Sequence, residues 1–218
     1  ALSGLAIDKK NFVWNLGLTM AHNKNKVLSL GNDDFIFPEA DKQRGGVGDG
    51  SVGWTSQKFQ ILEEGESVGN FFGYKFSRIG EDGVFYGWDA NGVEKKFSQL
   101  KNKDKVILGN PNPDFYGNFY SNLSYKRFTL NLDFNYSYGN DIYNQQLAVM
   151  TDMSTRSANR LKAPVFDCWS PQNTDAKYPA ISAFTMTDVN QCSDRFVEDG
   201  SYLRLANVAL SYSIPLKK

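Results

Sequence analysis

The chain has 218 residues, of which 41% are hydrophobic, 14% aromatic and 22% charged, and its 24 basic residues balance 24 acidic ones. With no Lys/Arg run longer than Lys9-Lys10, Lys95-Lys96 or Lys217-Lys218, there is no electrostatic footprint for nucleic acid. No apolar stretch approaches the ~18 residues of a membrane-crossing helix, which excludes a helical membrane protein but not strands that cross a membrane, whose alternation averages out of hydropathy.

The 19 Gly, 11 Tyr and 16 Phe favour strands and turns over helix bundles. In chain order, 1–7 reads as the end of a strand and Asp8-Lys9-Lys10 as a short turn. A strand near 11–22 follows, in which Phe12, Trp14, Leu16, Leu18 and Met20 alternate with Val13, Asn15, Gly17 and Thr19. His22, the only histidine, sits at its end. A long connection occupies about 23–114. Within it, 68–79 and Lys105-Val106-Ile107-Leu108 look extended, and Asn91-Gly92 is a turn that would join 84–88 to 93–97.

Phe115, Gly117, Phe119, Leu123 and Tyr125 share one parity of a strand near 115–125. Lys126-Arg127 then connects it to a strand near 127–139. There Phe128, Leu130, Leu132, Phe134, Tyr136 and Tyr138 alternate without a break with Thr129, Asn131, Asp133, Asn135 and Ser137, so the pair reads as one antiparallel hairpin. A second long connection covers about 140–200, with a helix expected in 141–161. Cys168 and Cys192 lie there without the spacing of a metal or redox site. In an oxidising compartment they would close one disulfide worth up to ~3 kcal/mol; the alternative is two unpaired thiols. The last strand spans about 202–214, where Val208, Leu210, Tyr212 and Ile214 alternate with polar and small residues, and Pro215 ends it.

Two architectures share this pattern. A soluble sandwich turns the apolar face inward, whereas a barrel in lipid turns it outward and lines an aqueous lumen with the polar face. Runs of about 11 residues match membrane strands better than the ~5–6 of soluble ones. Short turns alternating with very long connections are the outer-membrane barrel rule, and Tyr125, Tyr136, Tyr138 and Tyr143 near strand ends fit an interfacial girdle. The expected fold is therefore all-β: long antiparallel strands of a transmembrane β-barrel with long extracellular loops. Phe128, Leu130, Leu132 and Phe134 are expected to face lipid. A soluble all-β glycan-binding domain is the alternative.

Gly109-Asn110-Pro111-Asn112-Pro113-Asp114-Phe115, Phe134-Asn135-Tyr136-Ser137-Tyr138-Gly139-Asn140-Asp141-Ile142-Tyr143-Asn144 and the run from Asp194-Arg195-Phe196 through Gly200-Ser201-Tyr202-Leu203-Arg204-Leu205 to Val208 resemble the C-terminal barrel region of SusC/RagA-type TonB-dependent outer-membrane transporters of Bacteroidetes. The resemblance implies import of a large nutrient, oligosaccharide or peptide, across the outer membrane of a Gram-negative bacterium. The implied partners are the rest of the same transporter, a SusD-like surface lipoprotein, TonB acting through a plug, and outer-membrane lipid. A complete barrel of this type has about 22 strands, so the resemblance implies that the sequence is a partial segment, about four to five strands, of a large antiparallel transmembrane β-barrel, without the plug domain and the remaining strands. Many relatives carry an Asp-rich, calcium-loop-like stretch where this chain has Trp88-Asp89-Ala90-Asn91-Gly92-Val93-Glu94. Asp89, Asn91 and Glu94 are too thin a set for a hard cation, so no metal and no cofactor is expected.

Catalytic raw material is scarce. The formal G-x-G-x-x-G at 48–53 has neither the strand before it nor the helix after it that a dinucleotide site needs. One histidine and two cysteines leave little for zinc or triad chemistry, and Glu63-Glu64 and Glu81-Asp82 sit among loop glycines, so no enzyme is expected. The binding candidates are the aromatic residues of the long connections: Trp54, Phe71, Phe72, Tyr74, Tyr86, Trp88 and Trp169. The competing explanation for each is a small core inside an ordered loop.

Overall fold

The computed structural model describes residues 1–32, 35–38, 42–44, 58–151, 159–181 and 192–215. Trp54, the glycine-rich run 48–53 and residues 152–158 of the expected helix lie outside the described residues. In chain order the strands are β1 (Leu2–Lys9), β2 (Phe12–Ala21), β3 (Gln43–Arg44), β4 (Gln60–Ile61), β5 (Phe71–Gly73), β6 (Lys75–Ile79), β7 (Phe85–Trp88), β8 (Glu94–Lys96), β9 (Val106–Gly109), β10 (Phe115–Tyr125), β11 (Phe128–Tyr138), β12 (Asp141–Tyr143), β13 (Val197–Asp199) and β14 (Tyr202–Tyr212). Among the described residues, the short α-helices α1 (Gln145–Thr151) and α2 (Ala163–Phe166) and a 3-10 turn at Asp194–Phe196 interrupt the second long connection. The expected helix over 141–161 is thus shorter among the described residues, because Asp141–Tyr143 is drawn into a ribbon with β13.

The chain divides into two compact units. The first contains Ala1–Lys24, Asn112–Asp141 and the chain from Asp199 onward, and is built on a five-stranded sheet in the order β1-β2-β10-β11-β14. Every neighbouring pair is antiparallel. Directly opposed residues share a face, so the register collects the alternating side chains into rows. One row is Ile7, Trp14, Leu123, Leu130 and Leu210; another is Leu2, Leu18, Phe119, Phe134 and Leu205. On the opposite face Asn15, Asn122, Asn131 and Ala209 are aligned, as are Thr19, Asn118, Asn135 and Arg204.

Two bulges keep the edge strands in phase. On β14 Asp133 pairs with Asn207 and Phe134 with Leu205, which leaves Ala206 as the extra residue. Strict alternation would put Leu203 and Leu205 on the polar face; the bulge returns them to the apolar one beside Val208 and Leu210. On β1 the extra residue is Ala6, between Leu5↔Asn15 and Ile7↔Trp14.

The short connections lie at one end of this sheet. Asp8 pairs with Val13 and Lys9 with Phe12, so the first turn is Lys10-Asn11, not the expected Asp8-Lys9-Lys10: the pairing of Ile7 with Trp14 carries the ladder two residues further. Lys126-Arg127 forms the second turn, with Lys126 in the left-handed region (φ 54°) and its N–H donating to Asn11 O at 2.9 Å. At the other end β2 closes on Ala21↔Tyr116 and β11 on Ser137↔Tyr202, and both long connections leave and return there.

Gly117 is required by the packing of this sheet. A Cβ there would collide with Thr19 O and lie 2.8 Å from the Tyr136 hydroxyl. Tyr136 lies over the glycine and donates to Thr19 O at 2.9 Å, so the ring covers the gap that the missing side chain leaves. Gly117→Ala is expected to push β2 from β10 and cost ~1–3 kcal/mol, read as a lowered unfolding midpoint of the assembled protein.

The second unit contains Asn25–Pro111 and Ile142–Glu198 and is made of small sheets, β3-β4-β5-β9 and β6-β7-β8. The expected extended segment 68–79 is split between them and does not enter the five-stranded sheet. The hairpin β7–β8 turns at Asn91-Gly92, with Gly92 at φ 74°, a conformation glycine adopts without steric cost. Tyr74, Phe85, Phe97 and Leu100 form the core, with Phe76 and Ile79 packed on it. Tyr143 belongs to this unit and not to a girdle, because its ring stacks on Phe59 at 4.6 Å and 11°.

Of the two alternatives open for the cysteines, the structure has unpaired thiols: Cys168 and Cys192 are free. Each is held by its own neighbours. The Cys168 backbone bridges to Tyr178, while Cys192 is buried against Gly73 and its carbonyl accepts from Tyr74 N at 2.8 Å. Burial pushes the Cys192 thiol up to about 12, so it is inert at neutral pH.

Candidate functional site

The five-stranded sheet has two chemically opposite surfaces. Its apolar face is open: Leu203 is 72% exposed, Leu210 70% and Phe128 50%, while Leu130, Leu132 and Phe134 are half-buried. None of the four residues expected to face lipid is enclosed. Trp14 carries the one indole in these rows, and its Nε1–H donates to Ser121 Oγ at 2.9 Å, which satisfies the donor within the sheet. The opposite face is a carpet of carboxamides and hydroxyls. Asn118 donates to Phe134 O and Asn135 Oδ1, both at 3.0 Å, Asn207 donates to Asp133 Oδ2 at 3.1 Å, and Ser124 meets Thr129 at 3.2 Å. Such a surface suits water and polar solutes.

The aromatic candidates of the second unit separate by burial. Phe71 and Tyr74 are only 5% and 6% exposed, which removes them as contact surface: Phe71 packs on Phe59 and Tyr143, and Tyr74 on Phe97. They serve the loop core. Phe72 is half-buried, with the Lys105 ammonium 6.0 Å from its ring. Tyr86 donates to Asp82 Oδ2 at 3.2 Å and lies under the Arg78 guanidinium at 5.0 Å. Trp169 is half-buried over Gly83, where a Cβ would come within 2.7 Å of the indole. Trp88, 38% exposed at the end of β7, is the most accessible of the six.

Two clefts of this unit are lined by none of the six. A cleft of about 360 Å³ is lined instead by Phe76, Arg78, Ile79 and 174–177, and one of about 210 Å³ by Leu147, Thr151, Lys177, Tyr178, Arg195 and Phe196. Arg195 is the residue that sequence reasoning missed. Its guanidinium lies 4.2 Å from the Phe85 ring centre, 5.0 Å from Phe76 and 5.7 Å from Phe196, and donates to Lys177 O at 3.2 Å. Burial lowers its pKa to about 10, so it remains charged at neutral pH. Its cage could not be read in advance, because Phe76 and Phe85 lie far away in the chain.

The stretch compared with a calcium loop is a closed turn. Asp89 Oδ1 accepts from Asn91 N and Val93 N at 2.8 and 2.9 Å, and Oδ2 pairs with the Lys95 ammonium at 2.6 Å. The carboxylate is committed to the hairpin, and no cluster of three or more acidic, His or Cys side chains suited to a metal occurs among the described residues. Lys95 and the two N–H groups hold Asp89 down at about 2. A depressed carboxyl stabilises the fold above its ordinary pKa and loses that contribution as pH falls through the folded value. Trp88 fluorescence is therefore expected to stay constant from neutral pH to about 4 and to change as pH approaches 2, and Asp89→Asn should remove this acid transition.

No family model matches the chain. It is 30% identical over 96% of its length to TonB-dependent receptor P3 of Formosa agariphila, covering 20% of that protein. It is 25% identical over 98% of its length to TonB-dependent receptor SusC of Bacteroides thetaiotaomicron, again covering 20%. Among solved structures, the RagAB peptide transporter superposes with a TM-score of 0.71 at 18% identity, over 98% of this chain and 22% of that one. The chain thus spans about a fifth of the length of the curated relatives it matches. It is similar over essentially its whole length to TonB-dependent receptors, SusC among them, and its fold is that of a partial segment of a large antiparallel β-barrel with long loops.

Proposed function

We propose that the chain forms part of the barrel wall and extracellular loops of a TonB-dependent transporter in the outer membrane of a Gram-negative bacterium, importing a large nutrient, an oligosaccharide or a peptide. The observation that carries this reading is the five-stranded antiparallel sheet, with one continuous open apolar face, one polar face, two-residue turns at one end and long excursions at the other. In this role the apolar rows, including Phe128, Leu130, Leu132 and Phe134, contact lipid, and the asparagine-rich rows line a wet passage. A soluble glycan-binding domain would have to cover the apolar face with protein, and no second sheet of the described first unit does so.

The edges support the same reading. β1 pairs only with β2 and β14 only with β11 among the described residues. Each unpaired backbone N–H or C=O in hydrocarbon costs several kcal/mol, so both edges pair with further strands of the same transporter. The relatives named SusC and RagAB suggest a SusD-like lipoprotein over the long loops and energy from TonB. In the loops, Trp88, Tyr86, Phe72 and Trp169 retain exposed aromatic surface for sugars or apolar peptide side chains. The test is uptake by cells lacking the transporter that contains this chain. Loss of growth on an oligosaccharide or a peptide mixture, restored by the intact gene, supports import and separates the two substrate classes. Unchanged uptake of both contradicts it.

A further inference from the structure

At the turn end of the sheet, Lys9, Phe12, Tyr125, Phe128 and Tyr212 form the last complete row of the apolar face. Four of the five are aromatic and the fifth is a lysine. The Lys126 ammonium lies 5.2 Å from the centre of the Tyr125 ring, so a second cation accompanies the same row. Lys10 and Arg127 complete the two turns, and Lys9, Lys10, Lys126 and Arg127 are all exposed. No carboxylate pairs with any of the four among the described residues. Asp8, the acidic residue beside these turns, pairs with Val13 and so belongs to the opposite face.

We propose that this row and its two turns bind the headgroup phosphates of anionic phospholipids in the membrane leaflet at the turn end of the sheet. The inference rests on the membrane-wall reading above. Aromatic rings with an apolar body and a polar edge settle at the depth of the headgroups. A lysine in that row buries its methylene stem along the rings and carries its ammonium outward to the phosphates. Charge complementarity selects the lipid: a net-negative headgroup keeps its attraction to uncompensated cations, whereas a zwitterionic one offsets it with its own ammonium.

The test is native mass spectrometry of the full transporter polypeptide released from nanodiscs of mixed phosphatidylethanolamine and phosphatidylglycerol. The wild type is expected to retain phosphatidylglycerol selectively, and the double variant Lys9→Gln/Lys126→Gln to lose about tenfold or more of that preference. Lys9→Arg/Lys126→Arg should keep it, as should Lys24→Gln, which removes a charge from beyond the far end of β2. Equal retention of both lipids by the wild type, or an unchanged preference in the double glutamine variant, overturns the inference while leaving the barrel wall intact. A protein that does not enter nanodiscs at all overturns the wall reading, and the lipid site with it. Release of the bound species by inorganic phosphate alone would point to a free-anion site and also count against the proposal.

Discussion

Leu132→Arg is expected to destabilise the assembled wall by ~2–4 kcal/mol, the range for a charged residue carried to the lipid side of a barrel near mid-membrane. Leu132 lies near the middle of β11, opposed by Ser121 on one side and Val208 on the other. The small Ser121 offers the guanidinium no carboxylate, and the interfacial rings of Phe12, Tyr125, Phe128 and Tyr212 lie at the strand ends. Asn131→Arg, one residue away, provides the control. Asn131 is opposed by Asn122 and Ala209 on the polar face, where a long cation extends into water, and its expected effect is within about 0.5 kcal/mol. Reversible unfolding in lipid or detergent measures both. Equal effects at the two positions would mean that both faces meet the same medium.

Phe97→Ala is expected to open the second unit by ~3–5 kcal/mol, as for other buried phenylalanines. The ring is 2% exposed and packs at 6.0 Å on Tyr74, 6.3 Å on Phe76 and 5.8 Å on Phe85. These contacts connect β6, β7 and the turn after β8, so the cavity has few neighbours free to collapse into it. The consequence is local. Hydrogen-exchange protection of the Phe85–Trp88 amides should fall by about two orders of magnitude or more, while amides of β10 and β11 remain protected. Loss of protection in both units at once would show that they unfold together.

The fold class was legible because its signal is local. The uninterrupted alternation over 128–138 needs no knowledge of distant residues, and the contrast between short turns and long connections is visible by counting. The bulge at Ala206 was not legible. Alternation from Val208 to Tyr212 is regular, and the extra residue is defined only by Phe134 and Asp133 on the neighbouring strand. The same holds for Lys9, whose place in the aromatic row depends on the bulge at Ala6. In the long loops, residue type identified aromatic surface but not which rings face outward. Phe71 and Tyr74 are claimed by the core through partners as distant as Tyr143 and Ser193, whereas Trp88 stands at a strand end beside a turn. The cysteines were undecided in the sequence for the same reason: a disulfide and two unpaired thiols were both open, and only the backbone partners of each cysteine place it in its own surroundings.

The most direct test of the wall reading is the environment of alternate residues along β11. With Cys168 and Cys192 replaced by Ala, single cysteines are placed at 130 to 135 in the assembled transporter and labelled. The account predicts that probes at 130, 132 and 134 are quenched by spin-labelled lipid and are silent to water-soluble reagents, while probes at 131, 133 and 135 react from the aqueous side and are not quenched. Quenching at neither set, or reagent access at both, would contradict a sheet with lipid on one face and water on the other.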